Sequence, residues 1–470
     1  MSLSDSIAAN LSGSAKLDEV TKLVKYLAED LKDNNLSQTQ REKYLETLKV
    51  YGRDPCDSDP IFTEEGIKTL AGHAFTNCST NVFKSASGCL ANAMLLEAGT
   101  RQIFVDLGLA TKACDFLNNE NREYEFLMSR ILFLTTYETD INLEKLIETS
   151  KLAECVCVNL NRHADRVASK KEPIKLESME RMALIETLKL IFNLTYFCPQ
   201  KSSAFNLALK DLFSLLARLP VPEEKPLDPP IGLLVNAIIN MDLASNISTF
   251  FPTQTPNLNV DICIDILSKS IRFYNDEDLE QNVTPLIVLL RRANDLAPKE
   301  TQSHLQKLLL PSLKDREKVL GRAESLPSKL LCQISNPLAP KLRDSISALL
   351  FELSGKDPKK FVQNLGFGFT SGFLHNNGFS IPDIPLDISS TNENELSNKV
   401  NPITGQLLEN EDQIEMEIMT EEEKEREAEK LFVLFDRLEK NGVISAQNPM
   451  RSYQQSGKFE ELKNETSSDK

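Results

Sequence analysis

From Ala15 to Lys32, the residues Leu17, Val20, Leu23, Val24, Leu27 and Leu31 recur at intervals of three and four, which predicts a helix with one apolar face. The opposite face is charged. The same spacing predicts helices over Gln40–Tyr51, Asn206–Leu219, Val260–Phe273, Asn282–Leu296 and Pro340–Ser354, separated by short polar turns. Helix follows helix along most of the chain.

Four apolar segments align on one position: GCLANAML at Asn92, RILFLTTY at Leu134, LIFNLTYF at Asn193 and LLVNAIIN at Asn236. The intervals are 42, 59 and 43 residues, and the long one holds a polar insertion, Arg162–Ser178. Two of the three match the period of about 40–47 residues of HEAT and armadillo repeats. The expected fold is therefore all-α, an armadillo/HEAT-like superhelical solenoid over residues 1–373. Leu219–Pro230, with its five prolines, reads as a loop between repeats. After Phe373 the apolar periodicity fades, and residues 374–400, rich in Asn, Ser, Pro and Asp, read as a flexible linker.

Residues 401–470 form a tail in which Thr420–Lys440 recovers a strong helical pattern. Thr420 and Glu423 have the spacing of a capping box, Glu421–Glu423 suit the positive end of the helix dipole, and Asn441-Gly442 reads as a stop. Leu431, Leu434, Phe435 and Leu438 make an apolar stripe on this helix. Such a stripe behind a linker needs a surface to pack on, which makes it a candidate docking element.

Composition supports helix throughout: of 470 residues only 17 are Gly, none is Trp and 7% are aromatic. The net charge of -16 opposes a nucleic-acid backbone or an anionic membrane surface as a general partner. Nine cysteines, an odd number without a CxxC pair, read as reduced thiols, and several sit among apolar residues as small hydrophobes. The N-terminus lacks the basic start and apolar core of a secretory signal, and no apolar run is long enough to span a membrane. A cytoplasmic monomer is expected.

No P-loop, HExxH or GxSxG motif occurs, and the four histidines at 73, 163, 304 and 375 are scattered. The chain is expected to be no enzyme and to need no metal or cofactor. Gly366, Gly368 and Gly372 follow a helical stretch instead of a strand, so they read as a tight helix-to-helix turn. The recurrent Asn92, Asn193 and Asn236 interrupt apolar helical runs, although Asn is a mediocre helix former. A column of amides could satisfy the backbone of an extended or helical-end ligand; alternatively, each amide is solvated or bonded within its own repeat. Lys49, Arg53, Arg130, Lys189 and Lys329 could add carboxylate partners on the same face.

The chain also resembles the synembryn family. The resemblance is carried by KVNPITGQ at Lys399–Gln406, MTEEEKEREAEKLFVLFDRL at Met419–Leu438, LLPSLKDR at Leu309–Arg316 and LLFELSGKDPKKFVQNLGFGFTSGFL at Leu349–Leu374. It continues more weakly through LIFNLTYF, GCLANAML and LKVYGRDP at Leu48–Pro55. The resemblance implies an armadillo-like folding chaperone and guanine-nucleotide exchange factor for heterotrimeric G-protein α subunits. It implies that the concave face holds the C-terminal helix of the α subunit, while the helix after the linker meets the Ras-like domain. Carried over by position, it assigns partner contacts to Lys49, Arg53, Asn92, Asn193, Asn236 and Lys329, and makes Ser390 a candidate phosphorylation site. Recruitment to the inner face of the plasma membrane would come through the partner. The competing expectation is an armadillo-type scaffold or transport adaptor that reads extended peptides.

Overall fold

The computed structural model of the chain describes residues 11–76, 79–169, 176–380, 400–411 and 420–440. It divides into two units, 1–410 and 411–470. Ser390 lies outside the described residues.

The first unit is an all-α array of helix pairs. In each pair a first helix packs against a second, and the second helices stack on one another from pair to pair as a continuous row. The row consists of α1 (Gln38–Tyr51), α2 (Thr80–Leu96), α3 (Arg122–Thr135), α4 (Ser178–Phe197), α5 (Ile231–Ile239), α6 (Asp276–Leu296) and α7 (Pro340–Leu353). Their partners are Ser14–Asp33, Glu64–Ala74, Leu109–Leu117, Leu152–Ala168, Ala208–Arg218, Leu258–Phe273 and Leu326–Ile334. Short helices such as Gly99–Asp106 and Lys299–Leu309 bridge successive pairs.

The apolar spacing read along the chain is what builds these pairs. Val20, Leu23 and Leu27 of the first helix bury with Leu45 and Leu48 of α1, and Phe83, Leu90 and Met94 of α2 continue the same core. Each fully buried leucine of this kind stabilises by about 1.5–3 kcal/mol. Because every pair buries its apolar stripe against both neighbours, the core is continuous along the array.

Helix starts are set by local chemistry. Ser37 and Gln40 form a reciprocal capping box at α1, and the Asn121 side chain accepts from Glu123 N at 2.8 Å to open α3. Ser79, Asn275 and Ser325 cap other helices in the same way. Pro285 is accommodated inside α6, a helix that starts earlier than its apolar spacing suggested because Asp276, Asp278 and Glu280 in its first turns are polar and exposed or half-buried.

Two expectations are corrected here. The first seven residues of the polar insertion expected over Arg162–Ser178 are the end of the helix Leu152–Ala168, in which His163 is fully buried, and residues 170–175 lie outside the described residues. Its apolar signal is weak because, beside the small Ala164 and Val167, the core-facing residue is His163, which buries by pairing with Glu125 and Glu180 of the neighbouring helices. The fade of structure expected after Phe373 also comes later, since a helix continues to Asn376.

The end of the array is closed by α8 (Pro358–Leu365), α9 (Phe367–Asn376) and the segment 400–410. Gly366 makes the expected helix-to-helix turn, whereas Gly368 and Gly372, expected in the same turn, lie inside α9. The Gly366 φ of +80° suits glycine, and a Cβ there would meet the Ile403 carbonyl oxygen at 2.7 Å. The backbone N–H groups of Phe367 and Gly368 donate to the carbonyls of Pro402 and Ile403 at 2.8 and 3.1 Å. Arg316, itself buried, donates to the carbonyls of Gly405, Gln363 and Asn364 at 3.0, 3.3 and 2.8 Å. Residues 401–410, expected as part of a tail, are thus pinned to the first unit as a hook.

In the second unit, α10 (Glu421–Lys440) is present with its capping box. Thr420 Oγ1 accepts from Glu423 N at 3.3 Å, and Glu423 Oε2 accepts from Thr420 N at 3.0 Å. No described helix is long and apolar enough to cross a membrane.

Candidate partner-binding face

The row helices run in register, so side chains far apart in sequence line up across one face. Between α1 and α2, Ser79 Oγ donates to Glu42 at 2.8 Å and Ser85 Oγ to Glu46 at 2.7 Å. Between α3 and α4, Arg130 meets Glu186 at 3.4 Å, Ser129 meets Thr187 at 3.1 Å, and Asn193 Nδ2 donates to Thr136 Oγ1 at 2.6 Å. Asn240 at the end of α5 donates to the Phe192 carbonyl at 3.4 Å, and Arg292 of α6 donates to the Ile239 and Met241 carbonyls. Arg291 of α6 holds Glu352 of α7 through its Nη2 at 2.5 Å and its Nε at 3.1 and 3.2 Å.

Lys49 lies near the start of this face. Its Nζ pairs with Glu46 at 2.6 Å, and a Cβ on Gly88 of α2 would touch the Lys49 stem at 3.1 Å. Burial alone would raise the Glu46 pKa. Hydrogen bonds from Lys49 and Ser85, with the charges of Lys49 and Arg53, outweigh burial and hold the carboxyl below its usual range. Arg53 itself is exposed. One carboxylate here serves two cations.

Asn92 sits one turn beyond Gly88 on α2 and is half-buried; Asn236 on α5 is likewise half-buried. Among the described residues neither amide makes a hydrogen bond. The donors and acceptor of both amides are thus unused within the described structure. Asn193 differs: it is buried, and its amide is committed to Thr136. Its bond is internal to the chain but reaches the neighbouring pair instead of staying within its own repeat. Lys329 is not brought to this face, because it belongs to the helix Leu326–Ile334 that backs α7, and its Nζ pairs with Glu324 at 3.3 Å.

Aromatic side chains flank the amides. Phe133 packs edge-on to Tyr137 at 5.2 Å, Phe192 stacks with Tyr196 at 5.9 Å, and Tyr137, Tyr196, Phe197, Leu95 and Leu96 are exposed near the C-terminal ends of their helices. These aromatic positions are not among the residues that the sequence pattern marks as candidates. Their signal was present, in that they fall beside or after the aligned positions Asn92, Leu134 and Asn193. Glu46 and Glu186 were also missed, although each precedes a lysine of the face by three residues, the spacing of a helical ion pair.

Beneath α3 and α4 lies a buried polar cluster. His163 Nε2 is 2.9 Å from Glu125, Thr187 donates to the same carboxylate at 2.7 Å, and His163 Nδ1 lies 3.7 Å from Glu180. Glu180 is also met by Arg166 at 3.2 Å and Arg122 at 3.5 Å. Its pKa falls to about 2, chiefly through His163 and against burial. Burial pushes His163 down, but its contacts with the two glutamates outweigh that and raise it. Through Thr187, which also meets Ser129, the cluster ties α3 to α4 in the buried interior.

On α10, Leu431, Val433 and Leu434 are exposed. The side chains of Phe435 and Leu438 lie outside what is described. Among the described residues no group of three or more His, Cys, Asp or Glu is placed to hold a metal ion.

The family model for the guanine nucleotide exchange factor synembryn matches residues 44–458. The chain belongs to the synembryn family. That span begins within α1 and takes in the rest of the row and α10. A chicken relative named "Chaperone Ric-8A" is 25% identical over 90% of this chain and 84% of its own length. The mouse protein of that name is 24% identical over 92% and 86%. A "Synembryn-like chaperone" from Schizosaccharomyces pombe is 29% identical over 42% of this chain and 37% of its own. A chain in a solved structure concerned with cadherin and β-catenin aligns with a TM-score of 0.41 at 12% identity, over 84% of this chain and 89% of that one.

Proposed function

We propose that this synembryn-family chain binds nucleotide-free α subunits of heterotrimeric G proteins, acting as folding chaperone and guanine-nucleotide exchange factor. The observation that carries this reading is the row face itself: half-buried, unbonded amides at Asn92 and Asn236, set among exposed aromatics and held cations. Those features suit the end of a helix, whose last carbonyls need donors and whose C-terminal carboxylate needs a cation.

In this account the C-terminal helix of the α subunit lies along the row. Lys49 and Arg53 meet its carboxyl end, Asn92 and Asn236 bond its backbone, and Asn193 positions the face through Thr136. Leu431, Leu434, Phe435 and Leu438 of α10 form a second contact on the Ras-like domain. Lys329, paired with Glu324 on the backing helix, is not assigned a contact.

Exchange then needs no reaction on this chain. A protein that prefers the nucleotide-free state weakens the partner's nucleotide affinity by the same coupling factor, and rebinding of GTP ejects it. Work in the cytoplasm, with recruitment to the inner membrane face through the partner, follows from that partner. The test is co-expression with α subunits. A soluble complex that survives gel filtration and dissolves on adding GTP with magnesium is expected; absence of any complex with every α class refutes the reading.

A further inference from the structure

We propose that Arg130, Lys189, Glu186 and Phe133 form a second anion subsite on the row face, which takes an acidic side chain on the bound helix. The inference rests on the reading of that face as the seat of an α-subunit helix.

The geometry is that of a loaded but unsaturated ion cluster. Glu186 is almost fully buried, with 5% of its side chain exposed, and its Oε1 accepts from Lys189 Nζ at 3.0 Å and Arg130 Nη1 at 3.4 Å. The two cations are themselves about a third exposed, at 34% and 29%. One carboxylate below two cations leaves one positive charge facing outward. Its buried position also keeps Glu186 from following the cations into solvent.

The cations are pre-set as well as uncompensated. Lys189 Nζ lies 5.7 Å from the Phe133 ring centroid, a cation–π distance, and Phe133 is braced by Tyr137. Arg130 reaches Glu186 from the neighbouring helix. A side chain already held in place loses less freedom when it binds, so an arriving anion gains more from it.

The arrangement is repeated. Glu46 with Lys49 and Arg53 has the same makeup, one acid with two cations, and in both stations the lysine follows the glutamate by three residues. The stations lie on α1 and on the α3–α4 pair, with Asn92 of α2 on the helix between. In a chain of net charge -16, two locally positive stations on one face select a ligand with two separated anionic groups. A helix ending in a free carboxylate and carrying an acidic side chain further back has that form. Glu186 also competes with the incoming anion, which keeps the grip weak enough to release.

The probe is a labelled synthetic peptide with the C-terminal helix sequence of an α subunit, together with copies in which each internal acidic residue in turn becomes its amide. Binding to the full chain is read by fluorescence anisotropy. For the wild type, one amide copy is expected to bind about five- to tenfold more weakly than the parent peptide. In Arg130→Gln/Lys189→Gln that difference should vanish, and Glu186→Gln should tighten the parent peptide several-fold. If the double variant does not fold, Lys189→Gln alone carries the comparison. Undiminished discrimination by the variants, or no gain in Glu186→Gln, overturns the subsite while leaving the functional reading intact. Failure of the wild type to bind either the peptide or the whole α subunit overturns both.

Discussion

Arg316 and Gly405, 89 residues apart, are joined by a hydrogen bond of 3.0 Å from a buried guanidinium to a backbone carbonyl. Through it the segment after the undescribed residues 381–399 is fastened back onto the end of the array. The same arginine caps the carbonyls of Gln363 and Asn364 at the end of α8, and its own carbonyl accepts from Leu407 N at 2.8 Å.

Replacing Arg316 with Ala removes three donor contacts from buried carbonyls and should destabilise the chain by about 3–5 kcal/mol. Gly366→Ala should act in the same direction, since it puts a Cβ against the Ile403 oxygen at a positive φ. Urea unfolding followed by circular dichroism measures both, and loss of the hook should appear as an early transition. A change under about 0.5 kcal/mol for both, the range of ordinary surface substitutions, contradicts the pinned hook.

The asparagines separate stability from binding. Asn193→Ala removes a buried amide and leaves the half-buried Thr136 hydroxyl without its donor, and should lower stability by about 1–2 kcal/mol. Asn92→Ala removes no internal bond, so its melting temperature should stay near that of the wild type while affinity for the α subunit falls. Thermal melts alongside anisotropy titrations show whether the two effects divide in this way.

His163 and Glu180 make stability depend on pH from opposite sides. The His163 pKa is raised in the folded state above 6.5, so its contribution is complete below about 6.5 and is lost as pH rises through the folded value. The Glu180 pKa is depressed from 4.5 to about 2, so its contribution is complete above about 4.5 and is lost as pH falls toward 2. The two overlap fully between about 4.5 and 6.5. His163→Gln should flatten the decline in urea midpoint between neutral and alkaline pH and also weaken the acid limb, because His163 is the chief cause of the Glu180 shift. An alkaline slope equal to that of the wild type would show that His163 titrates alike folded and unfolded.

The fold was largely legible because the apolar spacing carries it: Val20, Leu23, Leu27, Leu45 and Leu48 are enough to place the first pair. The aligned positions at Asn92, Leu134, Asn193 and Asn236 fall on four successive row helices, α2 to α5. What escaped was written in residue types that periodicity counts as polar. His163 buries by pairing with Glu125 and Glu180 of two neighbouring helices, so the end of its own helix looks like a polar insertion. The hook was hidden because 401–410 has no apolar period; it is held by backbone hydrogen bonds, which leave little trace in side-chain pattern beyond Gly366 and Gly405. The chemistry of the face was half legible: the amides and lysines stood out, whereas the glutamates that hold the lysines did not.

Truncation tests the division of labour between the two units. Because 401–410 belongs to the first unit, deletion of 411–470 should leave a folded array with wild-type affinity for a C-terminal α-subunit peptide and much reduced affinity for the whole α subunit. Deletion from 401 should in addition destabilise the end of the array. Equal affinity of wild type and the 411–470 deletion for the whole subunit would remove α10 from the account. An adaptor for extended peptides would behave in that way.

The central claim is tested most directly by the rate at which a purified α subunit releases GDP as this chain is added in increasing amount. The account predicts a rate that rises and saturates, with Asn92→Ala shifting the curve to higher concentration. A release rate that stays at its spontaneous value at saturating, properly folded chain would contradict it.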